Sequence, residues 1–388
     1  PIHDTILAAL EHYASNDSDL AVSSKTTSVQ EWGSLLSNAA NDELWTSQLG
    51  YWQQTIQNPE QSVAVLKPTA GALPTIGQMS QITFSLSSQD THSLLQVASK
   101  HRAKFDEILL SCFAATIATE TKSAGPVSFI LEGHGREDLS DSLDSVVDTS
   151  RTVGWFTSIF PVSLASPSWD LPAHAGAIIK AVKQQLREIP HRGVGYGILR
   201  HIPNADGKIA LHDFQAGEAV AGQISFNYLG QTSATFEDVG TLVSKQNKAY
   251  RLIDVNGLIR DGSLIFELQI APDVLIVSPQ QIAKRFESYL THLALSNSAE
   301  GASESLFTPS DFPLAGLTQE ALDSGLLAAN TADCYPLTTL QEGMLFHTLQ
   351  EPRSGQYITQ ILWTFNELDV DRMKQAWTTL LRHHSVLR

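Results

Sequence analysis

The sequence has almost no cysteine. Cys112 and Cys334 are the only two in 388 residues, and they lie far apart. They form neither a metal-ligand cluster nor a disulfide framework, a pattern that fits a reducing, cytoplasmic setting. Long apolar runs are missing as well: no apolar stretch reaches about 18 residues, so no membrane span is expected. Basic charge is scarce. Lys and Arg total 25 against 41 Asp and Glu, for a net charge of -16. Broad nucleic-acid binding needs basic surface to neutralise phosphates, and that class is excluded. No short tandem repeat occurs. Neither a Walker lysine pattern nor a G-x-S-x-G nucleophile elbow is present. The segment Gly193 to Gly197 comes nearest to a phosphate loop, but it lacks the G-x-G-x-x-G spacing and follows a helix rather than a strand. His383 and His384 are adjacent, not metal-spaced, and no Cys or His cluster lies near them, so no metal site is expected. The chain opens on Pro1 with neither a Met nor a secretory pattern, and it stops at Arg388 inside an apparent helix. Both ends read as cuts through domains.

What is present is an ordinary globular balance, 42% hydrophobic and 17% charged, long enough for two to three domain-sized units. Residues 4–14 read as a helix capped by Asp4. Ser28 to Glu31 has the spacing of a capping box, and Trp45, Leu49, Trp52 and Ile56 share one helical face. Residues 57–77 are a Pro- and Gly-bearing connector. An alternating strand follows from Ile82 to Leu86, then a helix that Ser88 can cap. The next helix carries a core stripe of Phe105, Ile108, Leu109, Cys112, Phe113 and Ile117. Residues 138–150 read as a solvated loop. A strand at 157–164 contains Pro161, which cannot donate to a ladder and so marks an edge or bulge. A long helix ends near Pro190. Strands are expected at 223–228, 250–259 and 263–271, the last two joined by an Asp261-Gly262 hairpin turn. Ser278-Pro279 opens another helix. Residues 295–333 are rich in Ser, Ala and Gly and read as a linker. A fresh unit then runs as helix, strand near 358–365, and helix at 370–384. The mixed order of strands and helices implies an α+β layer fold.

One stretch holds chemistry. Residues 125–131 read as a mostly buried strand that ends in a carboxylate, Glu132, before Gly133 and Gly135. If the chain stays extended, Glu132, His134 and Arg136 point to one side. A carboxylate, an imidazole and a guanidinium there can move protons on a held substrate. The same residues also read as a solvated loop in which Glu132 and Arg136 pair. Asn227 and Tyr228 follow the strand residues Ile224-Ser225-Phe226. They can be strand-end hydrogen bonders, or an amide and a phenol that polarise a carbonyl.

Taken together, the motifs carry a resemblance. Leu131-Glu132-Gly133-His134-Gly135-Arg136-Glu137 resembles the third core motif of epimerization domains of nonribosomal peptide synthetases. The stretch from Arg151 through Trp155 to Pro161 resembles the fourth. The stretch from Pro190 through Tyr196 to Gly197 resembles the fifth, and Phe226-Asn227-Tyr228-Leu229-Gly230-Gln231 the sixth. Beyond the linker, Tyr335 to His347 resembles the first motif of a condensation domain and Arg382 to Arg388 its second. The Tyr335-Pro336-Leu337-Thr338 form and the wording from Gln350 to Gln356 look fungal.

The resemblance implies a chloramphenicol acetyltransferase-like fold, two lobes around a tunnel, with the first lobe incomplete. Residues 1–77 would be the tail of the epimerization N-lobe and connector, 78–295 its C-lobe, 296–333 an interdomain linker, and 334–388 the start of a condensation domain. The implied reaction inverts the Cα of an L-aminoacyl or peptidyl thioester carried on the 4'-phosphopantetheine arm of an upstream carrier domain. The product passes to the downstream condensation domain. No bound cofactor is needed, and the protein is expected to be monomeric. Glu132 would be an acid/base with its pKa raised by burial in the tunnel. Asn227 and Tyr228 would orient the thioester or its oxyanion. Arg136 would fix the loop by pairing with a carboxylate, His134 would be structural, and Trp155 and Tyr196 would line the tunnel or pack beneath it. The family's His-His-x-x-x-Asp-Gly motif, whose second histidine is the other acid/base group, is absent from these 388 residues. The rival readings are a condensation domain throughout, which forms peptide bonds, and a docking fragment without catalysis.

Overall fold

The computed structural model describes residues 25–57, 74–137, 147–212, 223–232, 243–272, 275–296, 306–353 and 355–387. The helix expected at 4–14 and most of the connector at 57–77 and of the loop at 138–150 lie outside them. The chain divides into two compact units, Pro1–Cys334 and Tyr335–Arg388.

The first unit is built on one six-stranded sheet. Its strands are β1 (Ser80–Ser85), β2 (Val127–Gly133), β3 (Ser158–Leu164), β4 (Ile224–Thr232), β5 (Ile253–Arg260) and β6 (Ser263–Ile270), in the order β1-β6-β5-β4-β2-β3. The β5–β6 hairpin turns at Asp261 (φ 50°) and Gly262 (φ 79°), the left-handed pair that a two-residue turn requires. Both central junctions, β4–β5 and β2–β4, are parallel, and the outer ones are antiparallel. Pro161 sits on β3, an edge strand, where its missing N–H leaves no gap in an interior ladder.

Among the described residues, three helices come before the sheet: α1 (Val29–Asn38), the short α2 (Glu43–Thr46) and α3 (Leu49–Gln57). The face that carries Trp45 and Trp52 is thus broken at Ser47-Gln48, yet both indoles are fully buried. The next helices are α4 (Ser88–Lys100), α5 (Phe105–Thr121), α6 (Leu171–Arg187), α7 (Val194–His201) and α8 (Pro279–Ser296). The cap of α4 is Ser87, one residue before the expected Ser88: its Oγ accepts from the Asp90 N–H at 3.1 Å. Helix α5 is buried on nearly every side, the mark of a helix enclosed by its neighbours. Its Phe113 packs on Phe129, Phe226 and Phe286, which fuses helices and sheet into one aromatic core.

Four charged side chains meet here, three of them buried and the fourth, Arg187, partly exposed. Lys183 Nζ and Arg187 Nη1 on α6 each donate to Asp311 at 2.8 Å. Arg187 Nε also donates to Glu107 on α5 at 3.0 Å. The Lys183 side chain is 0% exposed and that of Asp311 3%. Removing one member of such a buried group typically costs about 3–5 kcal/mol, because its partner stays uncompensated. Asp311 lies in the segment that composition read as a linker. Residues 306–334 instead form a small core of their own around Phe307, Phe312 and Leu322. Asp311, the Lys180–Asp323 ion pair and the Arg102 guanidinium over Phe307 and Phe312 tie that core to the rest of the unit.

The second unit holds α10 (Thr339–Gln350) and α11 (Val370–His383), which follow α9 (Gln319–Asp323) of the first. The strand expected near 358–365 does not form. That segment has the alternation, but a strand needs a ladder partner and no described segment supplies one.

His101, which closes α4, is buried, and its Nδ1 has no hydrogen-bond partner among the described residues. Burial, then the charges of Lys183, Lys100 and Lys180, push its pKa down to about 4. The unfolded chain therefore binds a proton that the folded one refuses, and stability falls as pH drops from 6.5 towards 4. Urea unfolding should show a loss of up to about 3 kcal/mol across that window. His101→Gln should flatten most of the slope; an equally steep slope in the variant would assign it to other groups.

Candidate functional site

Sequence places Glu132 at the end of β2; the sheet decides what lies beside it. Strands β2 and β4 pair only through Ile130–Ser225 and Leu131–Phe226. One step further the same register would set Glu132 beside Asn227, and there the ladder stops. A cavity of about 340 Å³ opens at that point. Its lining includes Leu131, Glu132, Phe226, Asn227 and Tyr228 from the two strands, and Lys104, Asp106, Glu107, Leu186, Arg187 and Arg192 from the helical side. Strand alternation sets Leu131, Phe226 and Tyr228 towards the helices and Glu132 and Asn227 towards the other face. The gap between the strands thus gathers side chains from both sides of the sheet.

Asn227 and Tyr228 do not follow a strand; they lie within one, because β4 continues to Thr232. Just beyond them the β4–β5 register slips between Tyr228 and Gln231, where Gly230 has φ 84°. Such a bulge bends the strand and re-aims its side chains. The Tyr228 ring meets Phe105 edge-on, with centroids 5.4 Å apart. Burial, and next to it the Asp106 carboxylate, raise the Tyr228 pKa, which keeps the phenol protonated as a donor at neutral pH. On the other face, Asp254 accepts from Ser225 Oγ at 2.6 Å and from Asn256 Nδ2 at 3.3 Å, which fixes the polar row that Asn227 belongs to.

Glu132 lines the cavity but is exposed rather than buried. Here β2 has lost its pairing with β4 while it still pairs with β3, Glu132 opposite Ile159. His134 and Arg136 do not line the cavity with it. Gly135 takes φ 66° and breaks the extension that would have aligned the three. A Cβ on Gly135 would come within 1.6 Å of the Phe156 carbonyl oxygen, so only glycine fits. The expected carboxylate partner of Arg136 is also corrected. Its guanidinium donates to the backbone carbonyls of Thr149, Thr152 and Gly154 and lies 4.1 Å from the Phe156 ring centroid. Five planar donors suit a ring of carbonyls better than one carboxylate, and the turn before β3 presents such a ring. The motif carboxylate Glu137 instead meets His134 Nε2 at 3.3 Å and Arg192 Nε at 3.6 Å.

Trp155 is 86% exposed and is not part of the cavity wall. The neighbouring Phe156 is the ring that turns inward, onto Trp32. Tyr196 is buried behind the wall: it packs on Trp52, whose ring in turn meets the wall residue Phe160. The glycines around it serve packing. A Cβ on Gly193 would meet the Phe160 ring at 1.9 Å, and one on Gly195 the Gln48 amide at 2.1 Å. Sequence reading missed Lys104, Asp106, Glu107, Arg187 and Arg192. The first three carry a helix-start signal, with Glu107 accepting from the Lys104 N–H at 2.7 Å, but nothing local says that this helix start faces a cavity.

Among the described residues no cluster of metal-ligating side chains exists, and no helix is long and apolar enough to cross a membrane. A family model described as "Condensation domain" matches residues 8–270 and 331–388. A linear gramicidin synthase of Brevibacillus parabrevis is 34% identical over 385 residues, 95% of this chain and 5% of that protein. The chain therefore spans a small part of its curated relatives. The epimerization domain from the third module of tyrocidine synthetase B superimposes with a TM-score of 0.61 at 25% identity, over 75% of this chain and 64% of that one. The condensation domain of the Monacolin K polyketide synthase MokA superimposes with a TM-score of 0.52 at 16% identity, over 76% and 66%. With its single mixed sheet under a helical layer and its gap between two parallel strands, the chain has the α+β fold of the condensation and epimerization domains and belongs to the condensation-domain family.

Proposed function

We propose that the first unit epimerizes the Cα of an aminoacyl or peptidyl thioester held on the phosphopantetheine arm of a carrier domain, within a nonribosomal peptide synthetase. The observation that carries this reading is one carboxylate, Glu132, at the end of β2, lining the same cavity as the Asn227 amide and the Tyr228 phenol. Support comes also from the likeness to an epimerization domain. The second unit, whose Tyr335–Arg388 stretch is matched by the family model, would be the start of a condensation domain that receives the product.

The chemistry follows from the groups present. Sulfur donates weakly into a thioester carbonyl, so the neighbouring Cα–H is acidic enough for a carboxylate base. Glu132 takes that proton, and the electron pair moves into the carbonyl to give a planar enolate. Asn227 and Tyr228 donate hydrogen bonds to the thioester oxygen as its charge develops. The protonated phenol is suited to this, since it offers a donor without a competing charge. Substrate filling the cavity would displace water around Glu132 and strengthen each of these contacts. A proton returned to the opposite face of the enolate gives the inverted centre. The resemblance assigns that step to the second histidine of the His-His-x-x-x-Asp-Gly motif, which these 388 residues do not contain. No redox step occurs and no cofactor is consumed; the pantetheine arm belongs to the substrate.

Peptide-bond formation is the second reading, and the family match favours it, since that family is named for condensation. The two part on a simple measurement. Incubation with the loaded carrier and no acceptor should yield a mixture of configurations at Cα; retention of a single configuration would favour condensation.

Glu132→Gln in the intact synthetase should slow loss of deuterium from an α-deuterated substrate by about 10²–10⁴-fold. Unchanged exchange would remove Glu132 from the mechanism. Tyr228→Phe should lower the rate by about tenfold or more; a rate within about threefold of the parent would mean that the phenol does not hold the developing oxyanion.

A further inference from the structure

The segment that follows α8, residues 306–334, is held to the first unit by charge. Asp311 accepts from Lys183 and Arg187 and also from the Thr308 backbone N–H, the last at 2.8 Å. Burial works against its carboxylate, but the hydrogen bonds from Lys183 and Thr308 and the charge of Lys183 outweigh it and hold the carboxyl below the ordinary range. Lys183 is also bound by the carbonyl of His101 at 2.8 Å. Arg187 reaches the carbonyl of Arg102 and both oxygens of Glu107. Arg102 in turn donates to the carbonyls of Thr331 and Ala332, just before the second unit, and its guanidinium lies 4.8 Å from the Phe307 ring centroid. The segment is therefore tied at both ends to one corner, residues 101–107. From that corner Lys104, Asp106 and Glu107 enter the cavity wall, alongside Arg187.

We infer that Asp311 is a positioning residue for the cavity: by holding Arg187 against Glu107, it sets the wall formed by the first turn of α5 and the end of α6. Glu107 and Arg187 line the cavity, yet their charged atoms are spent on each other and on Asp311, so they act as struts. Asp106, which carries charge towards Tyr228, sits next to Glu107 and accepts from its backbone N–H at 3.0 Å. A shift of the strut therefore moves the neighbour of the phenol. The connector to the second unit thereby becomes part of the machinery of the first.

The experiment compares three variants of the intact synthetase. They are Asp311→Asn, Asp311→Asn combined with Lys183→Met, and Leu322→Ala, which loosens the same segment without touching the charges. The double variant removes the buried ammonium that the single variant leaves uncompensated, so its melting temperature should recover. Two readouts are taken: the rate of α-deuterium loss from carrier-bound substrate, and backbone amide exchange at residues 102–107 and 184–192. The kinetic readout rests on the epimerization reading; the amide readout does not. Asp311→Asn should lower kcat about tenfold with KM within about twofold, as misplaced catalytic groups do. It should also speed amide exchange at both segments. The double variant should regain melting temperature and keep the low kcat, whereas Leu322→Ala should lose melting temperature and keep the parental kcat. Recovery of kcat along with stability, or an unchanged kcat in Asp311→Asn, overturns the inference. If the parent enzyme loses no α-deuterium, the epimerization reading fails. The amide readout then decides alone: unchanged exchange at both segments overturns the positioning role, and faster exchange sustains it.

Discussion

Parallel strands stay together for as long as their hydrogen-bond ladder runs, and the ladder between β2 and β4 runs for two residue pairs. Where it stops, backbone groups lose their strand partner and the two chains diverge. The site is built in that divergence. Open sheets with parallel strands bind ligands at the carboxyl ends of strands whose neighbours part company, and here the β2 end supplies Glu132 while β4 supplies Asn227 and Tyr228. A longer ladder would have closed the gap and turned these groups into ordinary surface and core positions. The bulge at Gly230 enlarges the effect, because β4 also slips against its other neighbour just past Tyr228.

The far wall of the cavity is held by charge. Glu107, Lys183, Arg187 and Asp311 come from two helices and a connecting segment; Glu107, Lys183 and Asp311 are buried, Arg187 is partly exposed, and carbonyls of His101 and Arg102 complete the network. Apolar side chains of similar volume could stabilise the same place equally well. What an ion network adds is direction: each guanidinium donor accepts one geometry, so α5, α6 and the 306–334 segment can meet in only one way. If the cavity hosts the proposed reaction, direction matters more than net stability, because small misplacements of reacting groups are costly.

The loop after Glu132 shows that most of the motif holds the backbone. Gly135 is fixed by the approach of the Phe156 carbonyl, Arg136 by three further carbonyls, and Glu137 by His134 and Arg192. These residues determine how the chain leaves β2. They serve the site by fixing the exit of the strand, and Trp155, the most prominent aromatic of the next motif, stays in solvent while Phe156 does the packing.

By itself the sequence determined whatever is governed by neighbours a few residues away. The Asp261-Gly262 turn, the helix starts, the burial of α5, Pro161 on an edge and a carboxylate closing β2 all follow from local sterics and periodicity. The order of the motifs located the family. Tertiary structure alone decided which strand lies beside Glu132 and that β4 runs on past Tyr228 to Thr232. It also decided that Arg136 holds carbonyls, and that a Ser- and Ala-rich connector buries a carboxylate. The reason is reach. Arg187 meets Glu107 across 80 residues and Asp311 across 124, and no local signal encodes a partner that distant; only the packed sheet and its helices bring the two together.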